Sequence, residues 1–581
     1  MLHELLKYNA ADLPPSKPGF TTRTIHWLVE ISTEGKFINV LPMNDKKGEQ
    51  VSGCPEMHNM VAGGRAHFLV ETLQTVGLLF KTNEDAKKIA GSKGKHKYFK
   101  EMLRQAANAV PDLVSLSTFI SDEDQLALLR ERFVKEKAKP TNWLTWRIAG
   151  SDPLQNQLIS DWWHSWRNND ISKEKIGEKE KNRNSSQKTN NMICYLTGQM
   201  VKPVSVAPKI TGLSNVGGLS MGDVLVGFDK DAFCSFGLEQ AHNASMSEVS
   251  TREYVDKLKY LIKNHSRKMA NALVVHWFKK AVTPENDPLA FLFEPPEITE
   301  AAALSSARQI LEAIRTGQRP VPTNNRYFAL TISGASGRVM VRDWMEGKFE
   351  DLIDRIARWF SDFEVVARNG NNIAPDPKFM AVCGAIVRDL KDLPAPTATT
   401  LWRVALAGLP IPQPFIAQAL SRFRIDLIED KPFNHARMGL IKAYFIRKGG
   451  NHNMSVYLNK EHPEPAYQCG RLLAVLASLQ RAALGDVGAG VVQRYYVAAS
   501  QTPGLTLGRL IGNSKNHLNK LEGGLAHWYE DQIAEVWSRI KDYVPTTLNL
   551  EQQTLFALGY YQQIANRSGK NNDKNETSKG E

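Results

Sequence analysis

Residues 194–199 read CYLTGQ, and residues 208–247 read PKITGLSNVGGLSMGDVLVGFDKDAFCSFGLEQAHNASMS. Seven glycines (Gly198, Gly212, Gly217, Gly218, Gly222, Gly227, Gly237) punctuate short apolar runs in this block. Glycine enters left-handed backbone without steric cost and lets another chain segment come close. We therefore read 225–228 as a buried strand and 232–236 as a second short element. The glycines between them are turns or points of close approach. The preceding residues 167–190, RNNDISKEKIGEKEKNRNSSQKTN, mix both charges and carry almost no large apolar side chain. Such a stretch buries too little surface to order itself, and it is expected to form an exposed loop or hinge. A central α+β region, 191–396, then opens with the glycine-rich block.

Toward the N-terminus, Ile25, Trp27, Val29 and Ile31 alternate, 34–36 supplies a turn, and Phe37, Ile38 and Val40 return. This is a hairpin pattern. Residues 61–65 form a loop containing Gly63, Gly64 and Arg65. Within 81–100, Lys81, Lys87, Lys88, Lys93, Lys95, Lys97 and Lys100 face only Glu84 and Asp85, a net charge of +5 (seven minus two). Interrupted by Gly91 and Gly94, this run reads as a mobile basic loop beside a helix. It is either a solvated face or a surface for phosphates. Trp143, Trp146, Trp162, Trp163 and Trp166 fit core packing better than base stacking. Residues 1–166 thus form an N-terminal α+β region.

Toward the C-terminus, Tyr254, Leu258, Leu261, Ile262, Met269, Leu273, Val274 and Trp277 keep helical spacing over 249–278. Residues 301–314 predict another helix. Residues 327–341 alternate as a hairpin with a turn at 334–337. Arg338 and Arg342 on it either bind phosphates or form salt bridges on the sheet. From 397 to 565 the pattern is helical. Leu510, Ile511, Leu518 and Leu521 share one face there, with Arg509, Lys515 and Lys520 off it. Residues 566–581 are expected to be a disordered tail. The fold class is α+β: mixed N-terminal and central regions with short strands, then a C-terminal α-helical bundle.

The chain has 581 residues, enough for two to four domains. Its net charge is +12, 73 basic side chains minus 61 acidic ones. That excess suits a polyanion such as nucleic acid, although membrane surfaces attract it too. Five scattered cysteines without a CxxC pair suggest neither a disulfide framework nor a zinc ribbon. The N-terminal segment lacks an apolar signal core, and no run reaches the ~20 apolar residues of a membrane helix. A cytoplasmic location is expected. The sequence holds no phosphate loop, HExxH helix or GxSxG elbow, and its histidines are dispersed. No catalytic residue, metal ligand or cofactor is therefore expected, and an enzyme is the weaker reading.

The order of short motifs adds a resemblance. Cys194-x-x-Thr197-Gly198 is followed by Pro208-Lys209-Ile210-x-Gly212, Val226-x-Phe228, Phe233-x-Ser235-Phe236-Gly237-x-Glu239-Gln240 and Asn243-Ala244. Phe328-x-Leu330, Val341-Arg342-Asp343-Trp344, Trp402-x-x-Ala405-Leu406 and Arg422-x-Arg424 come next. Leu440-Ile441-Lys442-Ala443-Tyr444-x-x-Arg447, Gly470-Arg471-Leu472 and Phe556-x-Leu558-Gly559-Tyr560-Tyr561-x-Gln563 complete the series. Together they resemble the large subunit of the type I-C CRISPR Cascade complex, an RNA-guided surveillance assembly.

That resemblance implies a non-catalytic subunit that reads a protospacer-adjacent motif (PAM) in double-stranded DNA, helps unwind the target and holds the displaced strand. It places PAM reading in the N-terminal region. Gly63 and Gly64 allow close approach there, and Arg65 and Asn59 supply donors; a plain turn fits the same glycines. The lysines of 81–100, with Arg338, Arg342, Arg509, Lys515 and Lys520, become candidate phosphate contacts. Implied partners are target DNA, CRISPR RNA, the backbone, guide-processing and small subunits, and a helicase-nuclease. The family also makes its small subunit by internal translation, for which Met454 or Met438 is a candidate start. Two other readings stay open: a metal-dependent nuclease with an unrecognised site, and an RNA-binding assembly scaffold without DNA readout.

Overall fold

Alternating apolar residues build the first sheet. The N-terminal strands are β1 (Phe20–Ile25), β2 (Trp27–Ile31), β3 (Phe37–Pro42), β4 (Glu49–Pro55), β5 (Glu71–Thr72) and β6 (Trp143–Ile148). Trp27, Val29 and Ile31 are buried along β2 while Leu28 and Glu30 are less so. The sheet order is β3-β2-β6-β5, with β2 and β6 parallel and the other pairs antiparallel; β1 and β4 form a separate ribbon. Helices Ala86–Ala109, Val114–Ser121 and Glu123–Lys135 lie between β5 and β6 in the chain. Their Phe99, Leu103, Phe119, Leu129 and Phe133 share one core with β2 and β6. The tryptophans belong to this packing. Trp146 Nε1 donates to Leu69 O at 2.9 Å, and Trp163 Nε1 donates to Gly19 O at 2.7 Å.

The computed structural model describes the chain apart from residues 10–12, 14–16, 58–63, 182–190, 205, 239, 295–307, 310–323, 450–453 and 578–581, and apart from the side chains of 171–181 and 568–577. It divides into two units. One comprises Met1–Ile210 and Val224–Tyr260, the other Thr211–Asp223 and Leu261–Glu581. The glycine-rich block contributes to both.

In the first unit, β7 (Met192–Ile193) and β8 (Met200–Val201) form a small hairpin. No strand forms at 225–228: Asp223 and Val224 make only bridge contacts, the run itself bends and carries Gly227 within it, and 231–233 makes only one 3-10 turn. The polar stretch 167–190 begins as helix, because Gln157–Lys181 continues through it. Its Glu and Lys residues are good helix formers, and an established helix extends cheaply. Residues 182–190 lie outside the described residues.

The second unit holds β9 (Ser266–Met269), β10 (Ala272–Phe278), β11 (Arg326–Ala335) and β12 (Arg338–Lys348), antiparallel in the order β12-β11-β10-β9. The helix predicted over 249–278 thus ends at Asn264, as the observed helix Glu248–Asn264, and the remainder is a hairpin. ALVVHWF is buried on both faces, so it lacks the alternation that would have marked a strand. The β11–β12 turn is Ser336-Gly337, both with positive φ (50° and 86°), which matches the right-handed strand twist. The tip of this hairpin meets the glycine-rich block without side chains between. A Cβ at Gly334 would lie 2.1 Å from Gly218 Cα, and one at Gly218 would lie 2.4 Å from Asp223 Oδ2. Asp223, fully buried, accepts from Leu219 N. Most of the helix predicted over 301–314 lies outside the described residues.

Helix Phe349–Phe363 buries Ile353, Ile356 and Phe360 in the same core as Val274, Tyr327 and Ala329. Beyond it the unit is helical: Ala395–Ala407, Gln413–Ile428, His435–Lys448, Pro465–Leu484, Val491–Gln501, Pro503–Leu518, Gly523–Ser538 and Leu550–Thr577. The last helix extends through residues expected to be a disordered tail, propagating from its packed first half. Met438 is buried within His435–Lys448, and Met454 lies against the core before Pro465–Leu484.

One buried histidine–carboxylate contact in this unit makes the fold sensitive to acid. His276 Nε2 lies 2.7 Å from Asp287 Oδ2. Asp287 also caps Pro288–Phe293, accepting from Leu289 N (2.9 Å) and Ala290 N (3.3 Å). Burial alone would raise the Asp287 pKa, but His276 and these N–H groups hold it below the ordinary value. A carboxylate with a depressed folded-state pKa contributes stability above its unfolded pKa, and loses it as pH falls through the folded value. Asp287→Ala should cost ~1–3 kcal/mol at neutral pH by removing the cap and leaving a buried histidine unpaired. Urea melts at pH 7 and pH 3 should show that penalty shrinking in acid; an equal penalty at both would refute the assignment.

Candidate nucleic-acid interface

The lysine run is helix, not loop. Asp85 caps Ala86–Ala109 by accepting from Lys87 N at 2.8 Å. Ser92, Phe99, Met102, Leu103 and Ala106 are buried on its inner side. Gly91 and Gly94 are tolerated at about 1 kcal/mol each relative to alanine, because that packed side anchors the helix. Lys93, Lys97, Lys100 and Arg104 are spaced by four, three and four residues, so at 100° per residue they form one stripe, and all four are exposed. The helix carries seven cations (Lys87, Lys88, Lys93, Lys95, Lys97, Lys100, Arg104) against one carboxylate, Glu101.

Few of these cations are neutralised. Arg104 is bidentate on Glu101 at 2.8 and 2.7 Å, and Lys88 pairs with Glu84 at 2.8 Å. Among the described residues, no carboxylate stands within ion-pair distance of Lys81, Lys87, Lys93, Lys95, Lys97 or Lys100. His96 adds no charge near neutrality, since burial holds its pKa below the ordinary value despite its bond to Thr75 O at 3.0 Å. An uncompensated cationic stripe on a rigid helix can neutralise successive phosphates and carries no sequence information by itself.

The candidate PAM loop is only partly visible. Asn59 and Gly63 lie outside the described residues. Gly64 adopts φ +84° with open space where a side chain would stand. Arg65 is mostly buried, with Nη1 3.4 Å from Asp170 Oδ2 on helix Gln157–Lys181. That carboxylate competes with a base edge for the guanidinium.

Glu56, which precedes this loop in the chain, belongs to a charged network that the sequence did not reveal. Arg252 pairs with Glu56, and Arg23 Nη2 lies 3.7 Å from the same carboxylate while its guanidinium sits 4.0 Å above the Trp143 ring. Arg167 is bidentate on Glu248 at 3.2 and 2.5 Å. Arg167 and Arg252 are almost fully buried. The network fastens helix Glu248–Asn264 to the residues flanking the loop. Its partners lie 81 and 196 residues apart, so no local pattern could have announced them.

The remaining candidates belong to the second unit. Arg342 falls where the β11–β12 register slips, is exposed, and donates from Nε to Ser333 Oγ at 2.8 Å. Arg338 opens β12 and is half-buried. Arg509 and Lys515 are exposed on Pro503–Leu518, with Lys520 just beyond its end. Arg509 and Lys515 are six residues apart and do not share a stripe. Among the described residues, no group of three or more His, Cys, Asp or Glu side chains could hold a metal ion, and no helix is long and apolar enough to cross a membrane.

No curated protein matches the chain. The model of the CRISPR-associated protein family Cas_Csd1 matches residues 2–568, nearly the whole sequence. The chain therefore belongs to the Cas_Csd1 family of CRISPR-associated proteins and is a subunit of a Cascade complex.

Proposed function

We propose that the chain is the large subunit of a type I-C Cascade complex, that it reads the PAM in duplex DNA, and that it helps open the target and holds the displaced strand. The observation that carries this reading is the stripe Lys93, Lys97 and Lys100: exposed, held on one face of a helix and unpaired with carboxylates, in a chain of the Cas_Csd1 family. Guide–target pairing supplies sequence specificity, so the protein needs only backbone contacts and one short motif readout. The reading includes no catalysis. Its partners are the CRISPR RNA, the backbone, guide-processing and small subunits, and a helicase-nuclease recruited after target binding. Met454 precedes five helices, Pro465–Leu484 to Leu550–Thr577, a suitable extent for a separately translated small subunit. Met438, inside a buried helix, is the poorer start.

The test is binding of the reconstituted complex to duplexes with one matched protospacer and randomised flanks, at fixed salt. Arg65→Ala should lose ~1–3 kcal/mol of discrimination at one flank position if Arg65 reads a base. A wild-type complex without flank preference would rule out PAM reading. Unchanged preference in the variant would move the reader away from Arg65. Cleavage of DNA by the purified chain with Mg²⁺ or Mn²⁺ would favour the nuclease instead.

A further inference from the structure

The β7–β8 hairpin carries a second surface with its own chemistry. Ile193 and Met200 are cross-strand partners, 66% and 62% exposed. Tyr195, at the turn, is 75% exposed, and Val206 is 64% exposed. These side chains are presented by a built scaffold. The turn closes through Gly198 N to Cys194 O (2.9 Å) and Cys194 N to Gln199 O (2.8 Å), with Gly198 at φ +71°. Tyr195 N donates to Ser245 O (2.7 Å) and Val204 N to Met246 O (3.0 Å), which fixes the segment on the chain that follows the 3-10 turn at 240–244. Cys194 itself is buried beneath the turn. Among the described residues, the Tyr195 ring has no aromatic neighbour and its hydroxyl no hydrogen-bond partner. Within 191–210 the only charged side chains are Lys202 and Lys209, both exposed; the segment contains no carboxylate.

We propose that this surface binds an unpaired nucleic-acid strand. A base stacks on Tyr195 with Ile193 and Met200 beside it, and Lys202 and Lys209 take phosphates. The proposal deepens the DNA-recognition reading and rests on it. Charge favours this occupant, because a carboxylate-free segment bearing two cations suits a polyanion. Area favours it as well. Three side chains on so small a hairpin, with Val206 beyond it in the chain, present a few hundred Å², short of the ~800 Å² per partner in a standard protein interface. One ring with flanking cations is the usual equipment for sequence-tolerant strand binding. Phe236 is the more exposed ring, at 98%, but Asp229 and Asp231 stand close to it in the chain and would repel phosphates.

The experiment uses the full-length chain, a fluorescent 30-mer of thymidine and a duplex of equal length, with binding followed by anisotropy across a salt series. Base stacking on an aromatic side chain is worth ~1–3 kcal/mol, so Tyr195→Ala should weaken single-strand binding about fivefold or more. Tyr195→Phe should keep it. Replacing Lys202 and Lys209 together should flatten the salt dependence by ~1.4, at ~0.7 per phosphate on a single strand. Equal affinity of Tyr195→Ala and wild type for the 30-mer overturns the proposal. So does wild-type chain that binds the duplex but not the single strand, and in that case the DNA-recognition reading survives. Failure of both the chain and the assembled complex to bind any DNA sinks that reading too. Loss of companion subunits from a Tyr195→Ala complex that still binds the 30-mer would make this a protein contact, and the proposal would be wrong.

Discussion

Replacing Gly559 or Gly470 by alanine is expected to destabilise the second unit by about 3 kcal/mol or more, at the upper end of overpacking costs. The two residues mark one crossing. Helices Pro465–Leu484 and Leu550–Thr577 touch backbone to backbone: a Cβ at Gly470 would lie 2.0 Å from Phe556 O, and one at Gly559 would lie 2.2 Å from Tyr467 O. A carbonyl fixed in a helix cannot rotate aside, so the helices must part. Parting them strains a buried network. Arg471, fully buried, bonds to Gln563 (2.9 Å) and Glu535 (2.7 Å), and Tyr467 Oη donates to Gln562 (2.5 Å). Leaving such a guanidinium uncompensated is itself worth several kcal/mol. Gly508 and Gly512 provide the opposite case in the same unit. They lie within helix Pro503–Leu518 with nothing within 4 Å of a built Cβ. Alanine there should stabilise by ~0.8–1 kcal/mol through helix propensity alone. Thermal melts followed by circular dichroism should therefore move down for Gly470 and Gly559 and up for Gly508 and Gly512. An unchanged or higher melting temperature for the Gly470 and Gly559 variants would show that the crossing is looser than described.

The contrast between those glycines marks what sequence can carry. Periodicity announced the elements: Trp27, Val29 and Ile31 gave the first hairpin, and Leu510, Ile511, Leu518 and Leu521 marked a packed stripe near the C-terminus, of which Leu510 is buried and the others partly so. It failed where burial removes alternation, as in β10, and where a polar surface helix lacks an apolar stripe, as in the first half of Ala86–Ala109. A glycine motif said that something comes close without saying what. Gly218 meets a hairpin tip more than a hundred residues away, and Gly470 meets Gly559's helix. The site was legible to the same extent. The lysines were visible as a charge run, but their alignment on one face depended on the run being helical. Arg65 was visible as a donor, whereas its pairing with Asp170 depended on helix Gln157–Lys181 running on through a stretch read as a loop. The Arg23–Glu56–Arg252 cluster had no local signature at all, since charge pairs formed by long-range packing leave none.

Replacing Lys93, Lys97 and Lys100 together by alanine should weaken binding of the assembled complex to all target duplexes alike. If each lysine neutralises one phosphate of duplex DNA, the slope of log affinity against log salt should fall by ~2.7, at ~0.9 per contact. Flank preference should not change, because phosphates carry no sequence information. The same substitutions should not harm the fold. Like charges four residues apart on a helix repel by ~0.2–0.5 kcal/mol per pair, and alanine is the better helix former. The triple variant should therefore melt at the wild-type temperature or slightly above it. These two readouts separate function from structure in one protein. A stripe that only solvates the surface predicts a small rise in melting temperature and no change in salt slope, and that result would remove the main support for a DNA interface on this helix. A stripe that binds DNA predicts the same rise together with a flatter slope, and only a functional contact links a loss of affinity to a gain in stability.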